Sequence, residues 1–154
     1  TNRTHRIASP TDPQILSTGM PNACNLCHLD KSLGWTHNQL QKTWGKNVPM
    51  SQSLTKYFGN QLERPAGEAW LKHPVPLVRV VAADAYARSM WGEDKLSELI
   101  AALNETNAYN RYTFVQNIEK IIGHKLGEEE YSITGPKDLR AEQVKQLLVK
   151  YAVQ

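Results

Sequence analysis

The sequence Cys24-Asn25-Leu26-Cys27-His28 constrains this chain more than any other feature. It has the pattern C-x-x-C-H, which is the attachment signature of a c-type haem. Each cysteine adds across one vinyl group of the porphyrin, and the histidine that follows supplies an axial imidazole to the iron. Because the chain holds only 2 Cys, the motif uses both of them. It predicts one covalently attached haem c, held by Cys24, Cys27 and His28.

Two other chemistries use a C-x-x-C pair. A redox dithiol of the thioredoxin type lies in a strand-and-helix context, which the sequence around residue 24 lacks. A zinc site built on paired cysteines needs a second pair, and the chain has no further cysteine. The haem interpretation is therefore favoured over both.

Composition and charge exclude several classes. The chain of 154 residues is 40% hydrophobic and 21% charged, which suits a globular protein with a buried core. No apolar run approaches the ~20 residues of a membrane span. The formal charge of +3 falls to roughly +1 with two haem propionates, so nucleic-acid binding is not predicted. The chain opens on Thr1, as either a mature chain without its export signal or a truncated one. Because the attachment of a c-type haem resembles a system that works outside the cytoplasmic membrane, we expect a periplasmic or otherwise extracytoplasmic location.

Helical periodicity dominates the rest of the chain. Apolar residues predict a helix from Leu33 to about Gly45, and its face with Trp35 is expected to cover one side of the haem. Proline starts and glycine stops predict further helices over residues 65–71, 76–90, 96–103, 110–122 and 144–151. Residues 1–20 carry little periodicity and are expected to form an extended arm. The predicted fold class is all-α.

An internal repeat lies in the C-terminal part. The segment that begins at Arg79 aligns with the segment that begins at Arg111, at an offset of 32 residues. The two copies resemble a short form of the HEAT family of paired-helix repeats. We expect the matched arginines to tie neighbouring helices together. The predicted domains are an arm and haem-binding module over residues 1–48 and a HEAT-like α-helical repeat domain over 49–154.

The residues from Met20 to Ser32, then Trp35 and the helical repeats, resemble a family of bacterial c-type cytochromes. In that family Pro-Asn-Ala-Cys-x-x-Cys-His is followed by helical repeats, often within larger multihaem chains. A His-Arg pair in the arm before the motif often supplies an axial ligand there, and the resemblance assigns that role to His5.

Three residues are candidates for the second axial ligand. His5 is the first choice because the resemblance favours it and because an extended arm is long enough to reach the iron. Met20 lies only four residues before Cys24, so the chain would have to turn sharply to bring its sulfur across the ring. His37, on the predicted haem-covering helix, is the other alternative.

These features predict a single-haem c-type cytochrome with a six-coordinate, bis-histidine haem. It would transfer electrons between redox partners, as a subunit or a soluble carrier, and would not be an enzyme. Such a role requires a redox partner protein or a larger electron-transfer complex. Two alternatives stay open. One is a haem-based gas sensor or peroxide-reactive enzyme with an open sixth iron position, and the other is a mainly structural haem subunit of a larger complex.

Overall fold

The computed structural model describes residues 12–47, 52, 54 and 59–151. These residues are mostly helical, which confirms the predicted all-α class, and none of them belongs to a β-strand. The α-helices are α1 (Pro13–Thr18), α2 (Ala23–Cys27), α3 (Leu33–Trp44), α4 (Ala66–Leu71), α5 (Pro76–Ala87), α6 (Leu96–Ala101), α7 (Ala108–Ile122) and α8 (Lys137–Tyr151). Short 3-10 turns cover Gly59–Glu63, Glu93–Lys95 and Ala102–Asn104.

The chain divides into two compact units, Thr1–Lys72 and His73–Gln154. The sequence predicts a domain boundary between residues 48 and 49, whereas this division falls just after α4. The reason lies in the contacts of α4 with the segment that follows the C-x-x-C-H motif. The assignment of the two segments as domains stays a prediction.

Helix α4 is tied to the loop that follows His28. Its first turn has no side-chain cap, so its leading N–H groups need other acceptors. The N–H of Ala66 donates to the Lys31 carbonyl at 2.9 Å, and that of Gly67 donates to the Leu29 carbonyl at 3.2 Å. The fully buried Trp70 donates its indole N–H to the Gly19 carbonyl at 2.8 Å. Helix α4 therefore fixes the chain on both sides of the motif.

The part of the arm that the structure describes is not extended. Residues Pro13–Thr18 form α1, with proline at its first position, where the missing N–H costs nothing. Asp12 accepts a hydrogen bond from the Gln14 N–H at 2.9 Å and so begins the helix. The expectation of an extended arm is wrong over this segment, and residues 1–11 lie outside the described part.

The second unit is built from α5 to α8 around one apolar core. Its fully buried side chains include Leu99, Ile100, Leu103, Phe114 and Ile118. Tyr131, in the loop before α8, donates its hydroxyl to the Leu103 carbonyl at 2.6 Å. The Gln143 side chain accepts from the Ser132 N–H at 3.0 Å, so this loop is held against α8. Within the ranges described, no helix combines the length and apolar character needed to cross a membrane.

Three arginines hold equivalent positions at the start of their helices. Arg79, Arg111 and Arg140 are each the fourth residue of α5, α7 and α8. The first two donate to the carbonyls six and five residues earlier, Arg79 to His73 and Pro74 and Arg111 to Glu105 and Thr106. Arg140 donates to the carbonyl of Gly135, five residues before it. The sequence repeat thus corresponds to a repeated contact, and its HEAT-like character stays a prediction.

Two helix ends differ from the sequence prediction. Helix α5 ends at Ala87 and not near Met90, because the Ser89 hydroxyl donates to the Tyr86 carbonyl and accepts from the Trp91 N–H. Helix α7 begins at Ala108, two residues before the predicted start at residue 110, because Asn107 caps it. The Asn107 side chain accepts from the N–H of Tyr109 at 2.9 Å.

The pair formed by Arg79 and Glu105 makes the stability of the second unit pH-dependent. Burial raises the pKa of Glu105, but hydrogen bonds from Arg79 and the following backbone outweigh it and hold the pKa below the usual 4.5. A depressed carboxyl pKa stabilises the fold above the unfolded pKa, and this is lost as the pH falls through the folded value. We expect Glu105→Gln to cost about 1–3 kcal/mol of unfolding free energy at pH 7 and progressively less below pH ~4.5.

Urea unfolding followed by circular dichroism between pH 7 and pH 3 measures this difference. The matched control is Glu98→Gln, since Glu98 is 42% exposed and pairs with Lys95 at 3.4 Å. A stability difference for Glu105→Gln that stayed constant down to pH 3 would contradict the assignment.

Candidate haem site

The C-x-x-C-H motif forms a short helix with its own N-terminal cap. Asn22 precedes α2 in an extended conformation, and its side chain accepts from the Asn25 N–H at 3.0 Å. The His28 N–H closes the last turn on the Cys24 carbonyl at 2.9 Å. Residues three and four apart lie on one face of a helix, so Cys24, Cys27 and His28 point the same way.

This face opens on a cavity of about 300 Å³ in the first unit. The cavity is lined by Ala23, Cys24, Cys27, His28, Trp35, Gln39, Thr43 and Trp44. Cys24 is half-buried, whereas Cys27 and His28 are exposed. Both thiols are free, so their sulfur atoms and the imidazole are available to one ligand in the cavity.

Helix α3 forms the opposite wall. Ser32 caps it by accepting from the Trp35 N–H at 3.0 Å, and it ends at Gly45, whose φ of +61° is left-handed. Leu33, Thr36 and Leu40 are buried on one face, while Trp35, Gln39 and Thr43 recur every four residues along the cavity. The rings of Trp35 and His28 meet with centroids 5.0 Å apart and planes tilted by 54°. Trp35 therefore limits the orientation of the imidazole.

The buried amide of Asn25 joins α2 to α3. Its oxygen accepts from the Asn22 side chain at 3.0 Å and from the Thr36 hydroxyl at 2.5 Å. Its nitrogen donates to the carbonyls of Lys31 and Ser32 at 3.1 and 3.3 Å. Asn25 is fully buried, and these four bonds use its whole hydrogen-bonding capacity. The amide thus sets the position of the motif against the helix that carries Trp35.

The electrostatics of the cysteines bear on the alternative chemistries. Burial and the neighbouring Cys27 raise the pKa of the Cys24 thiol above its usual 9.0. A catalytic C-x-x-C dithiol has a lowered pKa, so the raised value disfavours a redox dithiol here. Within the described residues, no three His, Cys, Asp or Glu side chains form a group that could hold a metal ion.

The structure brings together four of the predicted site residues. Cys24, Cys27, His28 and Trp35 line the same cavity, and His5 lies outside the described residues. Neither alternative ligand is among the lining residues. Met20 is 36% exposed in the segment before α2, and His37 is half-buried on α3, two residues past Trp35. Two residues of a helix turn the chain by about 200°, which carries His37 away from the cavity face.

Some residues of the site were not predicted from the sequence. Gln39 and Thr43 line the cavity, and their spacing of four and eight residues from Trp35 was the available signal. Trp44, the last residue of α3, also lines the cavity and is 60% exposed. Asn25, one of the two variable positions of the motif, gave no signal, because burial of a side-chain amide on such a short helix depends on the rest of the fold.

The residues of the cavity fit a c-type haem. The cavity contains two free thiols at the motif spacing and an exposed imidazole next to them. The ring centroid of Trp35 lies 5.0 Å from that of the imidazole. A pocket of about 300 Å³ lies at the lower end of the range for cofactor sites. In comparisons with known proteins, no family model matches the chain, and neither curated proteins nor solved structures show a significant match.

Proposed function

We propose that this chain is a single-haem c-type cytochrome that transfers electrons between redox partners. The observation that carries the proposal is the common cavity of Cys24, Cys27, His28 and Trp35. When bound, the haem supplies an iron centre that gains and loses one electron. Such a carrier is not an enzyme, and it belongs in the bacterial periplasm or another extracytoplasmic compartment.

Each candidate site residue has a distinct role in this proposal. Cys24 and Cys27 hold the porphyrin through two thioether bonds, and the His28 imidazole is the first axial ligand. Trp35 packs against that imidazole, and α3 keeps water from one side of the ring. His5 is the second axial ligand we propose, with Met20 and His37 as alternatives. Neither alternative lines the cavity.

The second unit is proposed to serve as a HEAT-like platform for a redox partner or a larger electron-transfer complex. The contacts repeated by Arg79 and Arg111 at the 32-residue offset support this architecture. Stacked helix pairs expose extended surfaces, and one haem must exchange electrons with another centre to be useful.

The visible and electron paramagnetic resonance spectra of the purified, mature protein test the proposal. We expect one haem per chain that stays with the protein in acidified organic solvent, and a low-spin ferric signal from two axial ligands. His5→Ala is expected to convert this signal to high spin, and His124→Ala is the matched control. A colourless mature protein, or pigment that the solvent extracts, would overturn the proposal.

The same spectra separate the main alternative. A five-coordinate, high-spin ferrous haem that binds carbon monoxide rapidly would favour a gas sensor or a peroxide-reactive enzyme with an open sixth position. An unchanged low-spin signal in His5→Ala would remove His5 from the iron and leave Met20→Ala and His37→Ala as the next variants to record.

A further inference from the structure

The positive charge of the chain is concentrated in the segment that builds the cavity. Residues 13–62 contain four lysines, Lys31, Lys42, Lys46 and Lys56, and a single acidic residue, Asp30. This stretch carries a formal charge of +3, and the rest of the chain holds 14 basic and 14 acidic residues. The net charge of +3 thus equals the formal charge of this one stretch of the sequence.

Two of these lysines have no acidic partner in the described part of the chain. Lys31 pairs with Asp30 at 2.8 Å, whereas Lys42 and Lys46 are exposed and form no ion pair among the described residues. Lys42 lies seven residues after Trp35 and three after Gln39, so it continues the helix face that lines the cavity. Lys46 follows the turn at Gly45, and its N–H donates back to the Leu40 carbonyl at 3.2 Å.

The two ends of the cavity differ in chemistry. One end holds the thiols and His28 against Trp35, and the helix rises by about 10 Å from Trp35 to Lys42. The far end is lined by Gln39, Thr43 and Trp44, and the two lysines lie outside the lining, next to these residues in the sequence. The two edges of a haem differ in the same way, because the vinyl groups lie on one edge and the two propionate carboxylates on the opposite edge.

We propose that the C-terminal turn of α3, through Lys42 and Lys46 with Gln39 and Thr43, is the subsite for the propionate edge of the haem. This subsite rests on the proposed function and adds to it the orientation of the porphyrin in the cavity. The lysine ammonium groups face the carboxylates, and the amide and hydroxyl groups donate hydrogen bonds to them. Carboxylates placed there are stabilised in their ionised form.

A structural explanation for the same lysines predicts a different result. Lys42 lies in the last turn of α3, where a cation also interacts favourably with the negative end of the helix dipole. That role affects the stability of the helix alone. It does not change the ionisation of carboxylates on the haem, so a measurement of this ionisation separates the two roles.

The experiment is a titration of the reduction potential of the mature haem protein against pH, for the wild type and for Lys42→Gln/Lys46→Gln. Loss of two cations favours the ferric state, and we expect the equilibrium constant for reduction to fall about threefold at pH 7. The bend that propionate ionisation produces in the titration should move up by about half a pH unit. The charge-preserving variant Lys42→Arg/Lys46→Arg should behave as the wild type.

The control is Lys137→Gln/Lys145→Gln, which changes the net charge equally at two residues of the second unit that do not line the cavity. An equal effect in this control would overturn the proposal, and so would a lower melting temperature of Lys42→Gln/Lys46→Gln with an unmoved bend. Failure of the proposed function is distinguishable, because the wild type would then carry no solvent-resistant pigment and show no reduction wave.

Discussion

Replacing both Cys24 and Cys27 by alanine is expected to reduce the covalently bound haem from about one per chain to background. The two thiols line the same cavity as His28. On the proposed function, each would form one thioether bond to the same porphyrin. Without them, only the His28 ligand and the contacts of the cavity wall hold the haem, and solvent can extract it. Each single variant should keep one thioether, and its absorption bands should shift because one vinyl group remains.

Pigment that survives extraction with acidified organic solvent, measured per mole of chain, is the readout. Ser97→Ala in the second unit is the matched control, because it makes a change of similar size outside the cavity. A double variant that retained as much solvent-resistant pigment as the wild type would show that the haem is attached elsewhere. A wild type without pigment, in which the two thiols form a disulfide, would point to the dithiol chemistry instead.

The sequence predicted the elements whose causes are local. Helix α3 follows its Ser32 cap and stops at the Gly45 cap, as its apolar spacing and the glycine indicated. The cap residue at the end of the helix is left-handed, a conformation that glycine adopts much more readily than other residues. Likewise, α4 follows Pro65 and α7 ends at Gly123, whose φ is +79°. In each case the signal lies within a few residues of the effect.

The features that the sequence left open depend on contacts between distant residues. Helix α4 is held to the haem-motif segment by the N–H groups of Ala66 and Gly67, more than 30 positions from their acceptors. No sequence pattern in either segment predicts this pairing. The domain boundary was therefore expected at residue 48, before α4. The buried amide of Asn25 is a similar case, because its partners are set by how α2 meets α3.

The residues of the candidate site show the same difference between local signals and distant contacts. Cys24, Cys27 and His28 follow from the motif, and Trp35 from helical spacing. The polar far end of the cavity, with Gln39 and Thr43, became visible only when the direction of α3 relative to the motif was known. His5, the second axial ligand we propose, lies outside the described residues.

Asn25→Ala is expected to lower the unfolding free energy by about 3 kcal/mol, although Asn25 is a variable position of the haem signature. Alanine leaves the buried Thr36 hydroxyl without its acceptor at 2.5 Å and the buried Asn22 side-chain amide without its acceptor at 3.0 Å. Each unsatisfied buried polar group costs about 1–3 kcal/mol. Asn25→Asp keeps the shape but cannot donate to the two carbonyls, so its cost should be at least as large.

Urea unfolding followed by circular dichroism measures these costs, with the exposed Asn38 of the same unit as the control. Asn38→Ala should change the stability by less than about 0.5 kcal/mol, because alanine favours a helix and no buried partner is lost. In the haem-loaded protein, the low-spin resonance of Asn25→Ala should also broaden, since α3 no longer holds Trp35 at one position against His28. If Asn25→Ala were as stable as Asn38→Ala, the four bonds of the amide would not be what joins the motif to the cavity wall, and Trp35 would have to be positioned by the apolar contacts of Leu33 and Leu40 alone.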